Sequence, residues 1–351
     1  MTMEYAELSA DHRISRVIRG NWQLAGGHGA VDARESVEDL IAFADAGIVT
    51  FDCADIYTGV EEIIGAFREA YADRRGQAAL DAVRVHTKFV PDLGALGEMT
   101  QASVTAAIDT SLRRLKTDRL DLVQFHWWDY AADGWLEVGG WLTQLRQAGK
   151  IRNIGGTNFD TEHLLAFCRA GVPMVSMQVQ YSLLDTRPER EMVAAAGANG
   201  VQLLCYGTVA GGFLSDRWLG EPEPASPLEN RSLVKYKLII DEAGGWGVFQ
   251  HLLATLRRVA DRHGTDIATV ASRWVLDRPG VAATIVGARN RSHLPANLAI
   301  ADLKLDADDH QAIEAARSAM RVPPGDVYAL ERDRDGPHGS IMKYGLNGTA
   351  A

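Results

Sequence analysis

Eight short apolar runs rich in β-branched residues recur along this chain, each followed by a longer segment whose apolar residues return at spacings of three and four. The runs lie around Arg16–Ile18, Ile48–Phe51, Val83–His86, Leu120–Phe125, Ile151–Ile154, Val175–Val179, Val201–Cys205 and Ala283–Val286. Helical patterns between them cover Glu35–Ala46, Glu61–Tyr71, Thr100–Leu115, Trp135–Ala148, Thr161–Ala170, Glu189–Ala198 and the long stretch Val248–Leu276. Strands that alternate with helices pair in parallel, and eight βα units is the number that closes a barrel. The rhythm therefore predicts an α/β chain folded as a (β/α)8 TIM barrel in a single domain over 1–351, with the barrel at about 14–318 and a C-terminal tail at 319–351.

Two segments exceed what eight units need. The spacing between Cys205 and Ala283 is much longer than the others and includes SDRWLGEPEPASPLENRS, which reads as a long loop after the seventh strand. The tail, RVPPGDVYALERDRDGPHGSIMKYGLNG, has the Pro, Gly and mixed charge of an irregular segment. Its Tyr328, Leu330, Ile341, Met342 and Tyr344 either fold over the barrel mouth or pack against its exterior.

Composition narrows the function classes. With 351 residues, 46% hydrophobic and 23% charged, disordered and fibrous classes are excluded. A net charge of -10 disfavours nucleic acid or an anionic membrane as partner, leaving small molecules. Oligomeric state is not legible. Cys53, Cys168 and Cys205 are too scattered for a disulfide framework or a CxxC metal site, so no metal is expected and a reducing, cytoplasmic location is. No signal-like or membrane-spanning apolar segment is present.

In such a barrel the chemistry sits where strands end. The second run ends FDCADIYTG, offering Asp52 and, five residues later, Tyr57; the third ends VHTKF with Lys88; the fourth reads LDLVQFHWW with His126. A phenol is a poor acid at neutral pH unless a cation stabilises its phenolate. Lys88 supplies that cation, Asp52 orients it, and a neutral His126 would donate a hydrogen bond to a substrate oxygen. No nucleophile elbow or serine triad stands out. The inventory suits proton delivery to a carbonyl oxygen. Trp22 and Trp127 are the candidate substrate walls, and the loop Trp22–His28 also flanks the mouth.

Taken together, FDCADIYTG, HTK, QFHWW, GKIRNIGGTNF and VGARNRSHLPANL resemble the aldo-keto reductase superfamily over about Arg19 to Asn297. The resemblance implies a nicotinamide-dependent oxidoreductase with Tyr57 as proton donor, Lys88 lowering its pKa, Asp52 anchoring Lys88, and His126 orienting the carbonyl. It also implies that Thr157, Asn158 and Gln178 hold the nicotinamide amide and that Tyr206 stacks on its ring. Gly207, Val209 and Arg217 would flank the pyrophosphate, and Gly287, Arg289, His293 and Asn297 the adenosine and its 2′-phosphate. Arg289 favours NADP (NADPH) over NAD. The chain departs from the family pattern at Ala296, where Glu is frequent, at His293, and at Gly207-Thr208-Val209, where Ser-Pro-Leu is usual; Asn21, where Thr is frequent, is a further candidate to face substrate. Gly155 and Gly156 read as close packing, and Cys53 as a small buried filler. Three functions remain open: reduction of an aldehyde or ketone, oxidation of a sugar or alcohol, and a non-catalytic nicotinamide-sensing module like potassium-channel β-subunits.

Overall fold

The computed structural model describes residues 3–26 and 29–347. Among the described residues ten strands form: β1 (Tyr5–Ser9), β2 (His12–Ser15), β3 (Val17–Gly20), β4 (Thr50–Asp52), β5 (Arg84–Phe89), β6 (Leu120–Phe125), β7 (Ile151–Thr157), β8 (Met174–Gln180), β9 (Gln202–Tyr206) and β10 (Val281–Gly287). β3 to β10 pair in parallel in chain order, and β10 closes back onto β3, giving the eight-stranded barrel with helices between strands. All eight expected strands are present, several one to three residues longer at their C-terminal ends.

β1 and β2 form an antiparallel hairpin that the apolar runs do not announce. Its residues alternate between exposed and buried, so only Leu8 and Ile14 are strongly apolar on the inner face. These two pack with Ile18, Leu122, Leu204 and Ala283, filling one end of the barrel interior. His12 follows them inward and meets His86 of β5, Nε2 to Nε2 at 2.9 Å. The opposite end, where the strands finish, is thereby left as the open mouth.

Local chemistry fixes the helix boundaries. Asp32, Asp160, Asn230 and Asp266 each accept a backbone N–H three residues on, capping the helices that follow. The stretch expected as one helix over Val248–Leu276 is two, Trp246–His263 and Ile267–Leu276. Gly264 ends the first at φ 61°, a left-handed conformation that favours glycine, and Asp266 starts the second. The long loop after β9 covers the expected segment up to Asn230, and Arg231–Glu242 beyond it forms a helix that the periodicity did not announce.

Gly155 and Gly156 lie buried in β7, where an added Cβ would approach Ser176 Oγ to 2.5 Å and Met177 Cε to 2.6 Å. Close packing is their role. The tail carries one helical turn, Ala329–Arg332, and crosses the mouth. Among the described residues no helix is long and apolar enough to cross a membrane.

Candidate functional site

A cavity of about 340 Å³ opens at the C-terminal ends of the barrel strands. Asp52 closes β4, Lys88 stands in β5, His126 directly follows β6, and Tyr57 comes from the loop after β4; all four line this cavity. Asp52 and Lys88 are almost fully buried and paired at 2.6 Å, with the ammonium also donating to the Cys53 carbonyl at 2.8 Å. The other carboxylate oxygen of Asp52 receives Gln178 Nε2 at 2.7 Å and Gln124 Nε2 at 3.1 Å. Asp52 is thus saturated, and its charge is directed at Lys88.

Burial alone would pull Lys88 down, but Asp52 and then Tyr57 outweigh it and hold the ammonium charged well above the ordinary lysine range. The ammonium lies 5.0 Å from the centre of the Tyr57 ring, which packs edge-on against Trp22. The expected lowering of Tyr57 is not the net result. Burial raises the phenol, Lys88 lowers it, and Asp52 raises it again, so in the free protein Tyr57 sits above its ordinary value and keeps its proton.

His126 also differs from expectation. Its Nδ1 lies 2.9 Å from the Thr157 carbonyl, an acceptor only, so Nδ1 carries the hydrogen. Burial, followed by the nearby Arg332 charge, depresses the imidazole to about 3, so it is neutral and Nε2 is a bare acceptor. That nitrogen is buried with no partner among the described residues. His126 can therefore take a hydrogen bond from a ligand hydroxyl, whereas the sequence suggested it would give one to a carbonyl.

The remaining predicted residues divide. Thr157, Asn158, Gln178 and Tyr206 line the cavity together with Gly207, Val209, Gly287 and Trp22. Asn158 adopts φ 59°, tolerated by Asn, and accepts the Tyr206 hydroxyl at 2.8 Å. Arg289 lines a separate recess with Asp32, Glu35 and Asp39. Asn297 is buried, its Nδ2 unpartnered, and His293 is exposed; neither lines the main cavity. Arg217 does not line it either: exposed, it pairs with Glu229 at 2.5 Å and lies over Trp218.

Two expectations for substrate walls are corrected. Trp127 is fully buried, donating its indole N–H to the Ala132 carbonyl, and its neighbour Trp128 faces the cavity. Asn21 is buried with its Nδ2 spent on the Arg19 and Asp52 carbonyls. Of the loop Trp22–His28, Trp22 and Gln23 line the cavity, while Gly27 and His28 lie outside the described residues. Sequence reasoning missed Arg231, Lys235 and Tyr236, which reach the cavity from the helix after β9. Asn230 followed by RSLVKYK is the capping signal that would have found that helix. The tail resolves toward the mouth: Tyr328, Ile341 and Met342 line the cavity, and Tyr344 packs on Trp128. Among the described residues no group of three His, Cys, Asp or Glu is placed to hold a metal ion.

Residues 16–318 match the model of the Aldo/keto reductase family. Aldo-keto reductase YhdN of Bacillus subtilis is 31% identical over 323 residues, covering 89% of this chain and 92% of that protein. The glycerol dehydrogenase AKR11B4 of Gluconobacter oxydans superposes with a TM-score of 0.76 at 23% identity, over 92% of this chain and 97% of that one. A thermostable aldo-keto reductase, Tm1743, superposes with a TM-score of 0.69 at 25% identity, over 90% and 100%. A match running from the first barrel strand to the helix that ends at Arg317, on a closed eight-stranded barrel, shows that this chain belongs to the aldo/keto reductase family.

Proposed function

We propose that this chain is a nicotinamide-dependent oxidoreductase, one cytoplasmic barrel domain that reduces the carbonyl of an aldehyde or ketone. The observation that carries this reading is the buried Asp52–Lys88 pair at 2.6 Å with the Tyr57 phenol beside it at the barrel mouth. Bound nicotinamide supplies the hydride. The residues fit such a group. The Tyr206 ring lines the cavity with Thr157, Asn158 and Gln178, an aromatic face beside hydroxyl and amide groups that suits a nicotinamide ring and its carboxamide. Thr157, Asn158 and Gln178 would hold the carboxamide, with Gly207, Val209 and Gly287 along the pyrophosphate. Arg289 supports NADPH over NADH, opposed by the carboxylates of Asp32, Glu35 and Asp39 in its recess.

Tyr57, protonated in the free protein, donates to the carbonyl oxygen as negative charge develops there. Lys88 stabilises the phenolate left behind, and Asp52 holds the ammonium in place without itself meeting substrate. Trp22, Trp128 and Tyr328 place aromatic surface around the mouth. The bare Nε2 of His126 favours a second reading, oxidation of an alcohol, because a hydroxyl can donate to it and a carbonyl cannot.

Tyr57→Phe should lower turnover by roughly 10²–10⁴-fold while leaving NADPH and NADH titrations near the native values. Lys88→Met should fall comparably. Unchanged turnover in Tyr57→Phe overturns the assignment, and tight nucleotide binding without turnover of any carbonyl or alcohol by the native protein would instead favour the sensing module.

A further inference from the structure

A second buried charge cluster meets the same cavity. Asp185 and Arg187, after β8, pair at 2.7 Å, and Arg187 reaches Glu331 of the tail with contacts of 3.2 and 3.4 Å. Lys235, on the helix Arg231–Glu242, lies 3.6 Å from that same Glu331. Asp185, Arg187 and Glu331 are closed off from solvent, whereas Lys235 lines the cavity with 16% of its side chain exposed. Glu331 is held by Arg187 as well as by Lys235; against its burial, the two cations keep it at about 2.

An ammonium has three donors, and burying it is costly unless acceptors meet them. The Lys235–Glu331 distance is beyond a good hydrogen bond. The other close neighbours are the rings of Tyr206, Tyr236 and Tyr328, with centres 5.3, 5.6 and 5.6 Å from Nζ. Ring faces attract the charge without accepting as a carboxylate does. Burial pulls Lys235 down and Glu331 opposes this, leaving it lowered.

Position sets this cation beside Tyr206, at the nicotinamide end of the cavity, and outside the recess that holds Arg289. Tyr328, whose ring Lys235 also approaches, packs edge-on against His126 with ring centres 5.7 Å apart, which links the cation to the part of the cavity where a carbonyl would meet Tyr57. Its ionic partner Glu331 belongs to the tail, not to the end of β10 and the loop after it, which carry Gly287 and Arg289. Charge agrees. The cavity is lined by Lys88, Arg231, Lys235 and Lys343 against Asp52, which is spent on Lys88, in a chain whose net charge is -10.

From this geometry we propose that Lys235 docks an anionic group, a carboxylate or phosphate, carried by the carbonyl substrate at a distance from its reacting carbon. This rests on the carbonyl-reduction reading and names its substrate class.

The test compares 4-formylbenzoate with its neutral methyl ester, by quenching of tryptophan fluorescence and by KM, in the native protein and in Lys235→Met and Lys235→Arg. The native protein should favour the acid by tenfold or more. Lys235→Met should weaken the acid by about 10- to 100-fold, the cost of one charge-assisted contact, leave the ester within about twofold, and leave NADPH titration unchanged. Lys235→Arg should restore the preference. Should loss of the partner of Glu331 unfold the single variant, Lys235→Met/Glu331→Gln removes both charges and makes the same comparison. Equal binding of acid and ester by the native protein, equal losses for both in Lys235→Met, or a loss confined to NADPH each overturns the proposal. Turnover of both compounds without acid preference sinks the docking role and leaves reduction standing; Lys235-dependent acid binding without turnover does the reverse.

Discussion

Gly207 leaves β9 at φ 76°, and a Cβ there would come within 2.2 Å of the Tyr236 hydroxyl and 3.0 Å of its ring carbon. Two costs therefore meet at one residue: a left-handed backbone, about 1–2 kcal/mol for a side chain, and overpacking against a stiff aromatic, about 1–3 kcal/mol. Gly207→Ala should lower stability by about 2 kcal/mol or more in urea unfolding, and adding Tyr236→Phe should recover part of it. No recovery would locate the cost in the backbone alone. The same residue shows why the site was only partly legible. Asp52, Lys88 and His126 sit at strand ends, positions that periodicity predicts, and their chemistry follows from residue type. Which of Trp127 and Trp128 faces the cavity turns on one step of chain direction after β6, and Arg217 reached its Glu229 partner through a loop whose path no periodicity encodes. The hydrogen on His126 depends on the Thr157 carbonyl, a neighbour supplied by a different strand.

At the scale of elements the tail is a strap across the mouth. Arg321 N–H donates to the Ala243 carbonyl and Arg190 to the Pro323 and Gly325 carbonyls on one side; on the other, Leu93 N–H donates to Tyr344, and Asp92 accepts from Leu346 and Asn347. Between them Arg332 donates to the carbonyls of Trp127, Trp128 and Asn158 at 2.6–2.8 Å and lies 3.8 Å over the Tyr130 ring. One guanidinium thus ties the loops after β6 and β7, which carry His126 and Asn158, to the strap. Arg332→Ala should speed amide hydrogen exchange through residues 127–130 and the tail and raise KM more than it lowers kcat, because it loosens positions without removing a reacting group. Exchange as slow as in the native protein would show that the loops hold themselves. The sequence displayed the apolar residues of this segment but not its course. Its anchors are backbone carbonyls and single polar side chains, which leave no periodic trace, and the helix after β9 was hidden in the same way behind a Pro-rich approach.

For the whole molecule, the barrel was legible because eight buried parallel strands each need an apolar run, and closure follows from their number. The hairpin beneath it was not, since exposed Tyr5, Glu7 and Arg13 interrupt its few apolar residues. Yet that hairpin carries a pH dependence for the entire fold. His12 and His86 are fully buried and in mutual contact; burial, then Arg84 and Arg152, hold His12 at about 3 with only Asp11 opposing, and burial, then His12, Lys88 and Arg84, hold His86 well below the ordinary range. Both are neutral in the fold and free to titrate near 6.5 once unfolded. Well above pH 6.5 they are neutral in either state and cost nothing; as pH falls the unfolded chain gains protons that the folded one refuses, so stability drops. Between pH 6.5 and 5 the loss is about 2 kcal/mol for His12, with His86 and His126 adding terms of the same sign. Urea midpoints should therefore fall steeply from pH 7 to pH 5, before most carboxylates titrate. His12→Gln, which keeps a hydrogen-bonding partner for His86 and cannot charge, should flatten that fall; an equally steep decline in the variant would place the acid sensitivity outside the barrel floor.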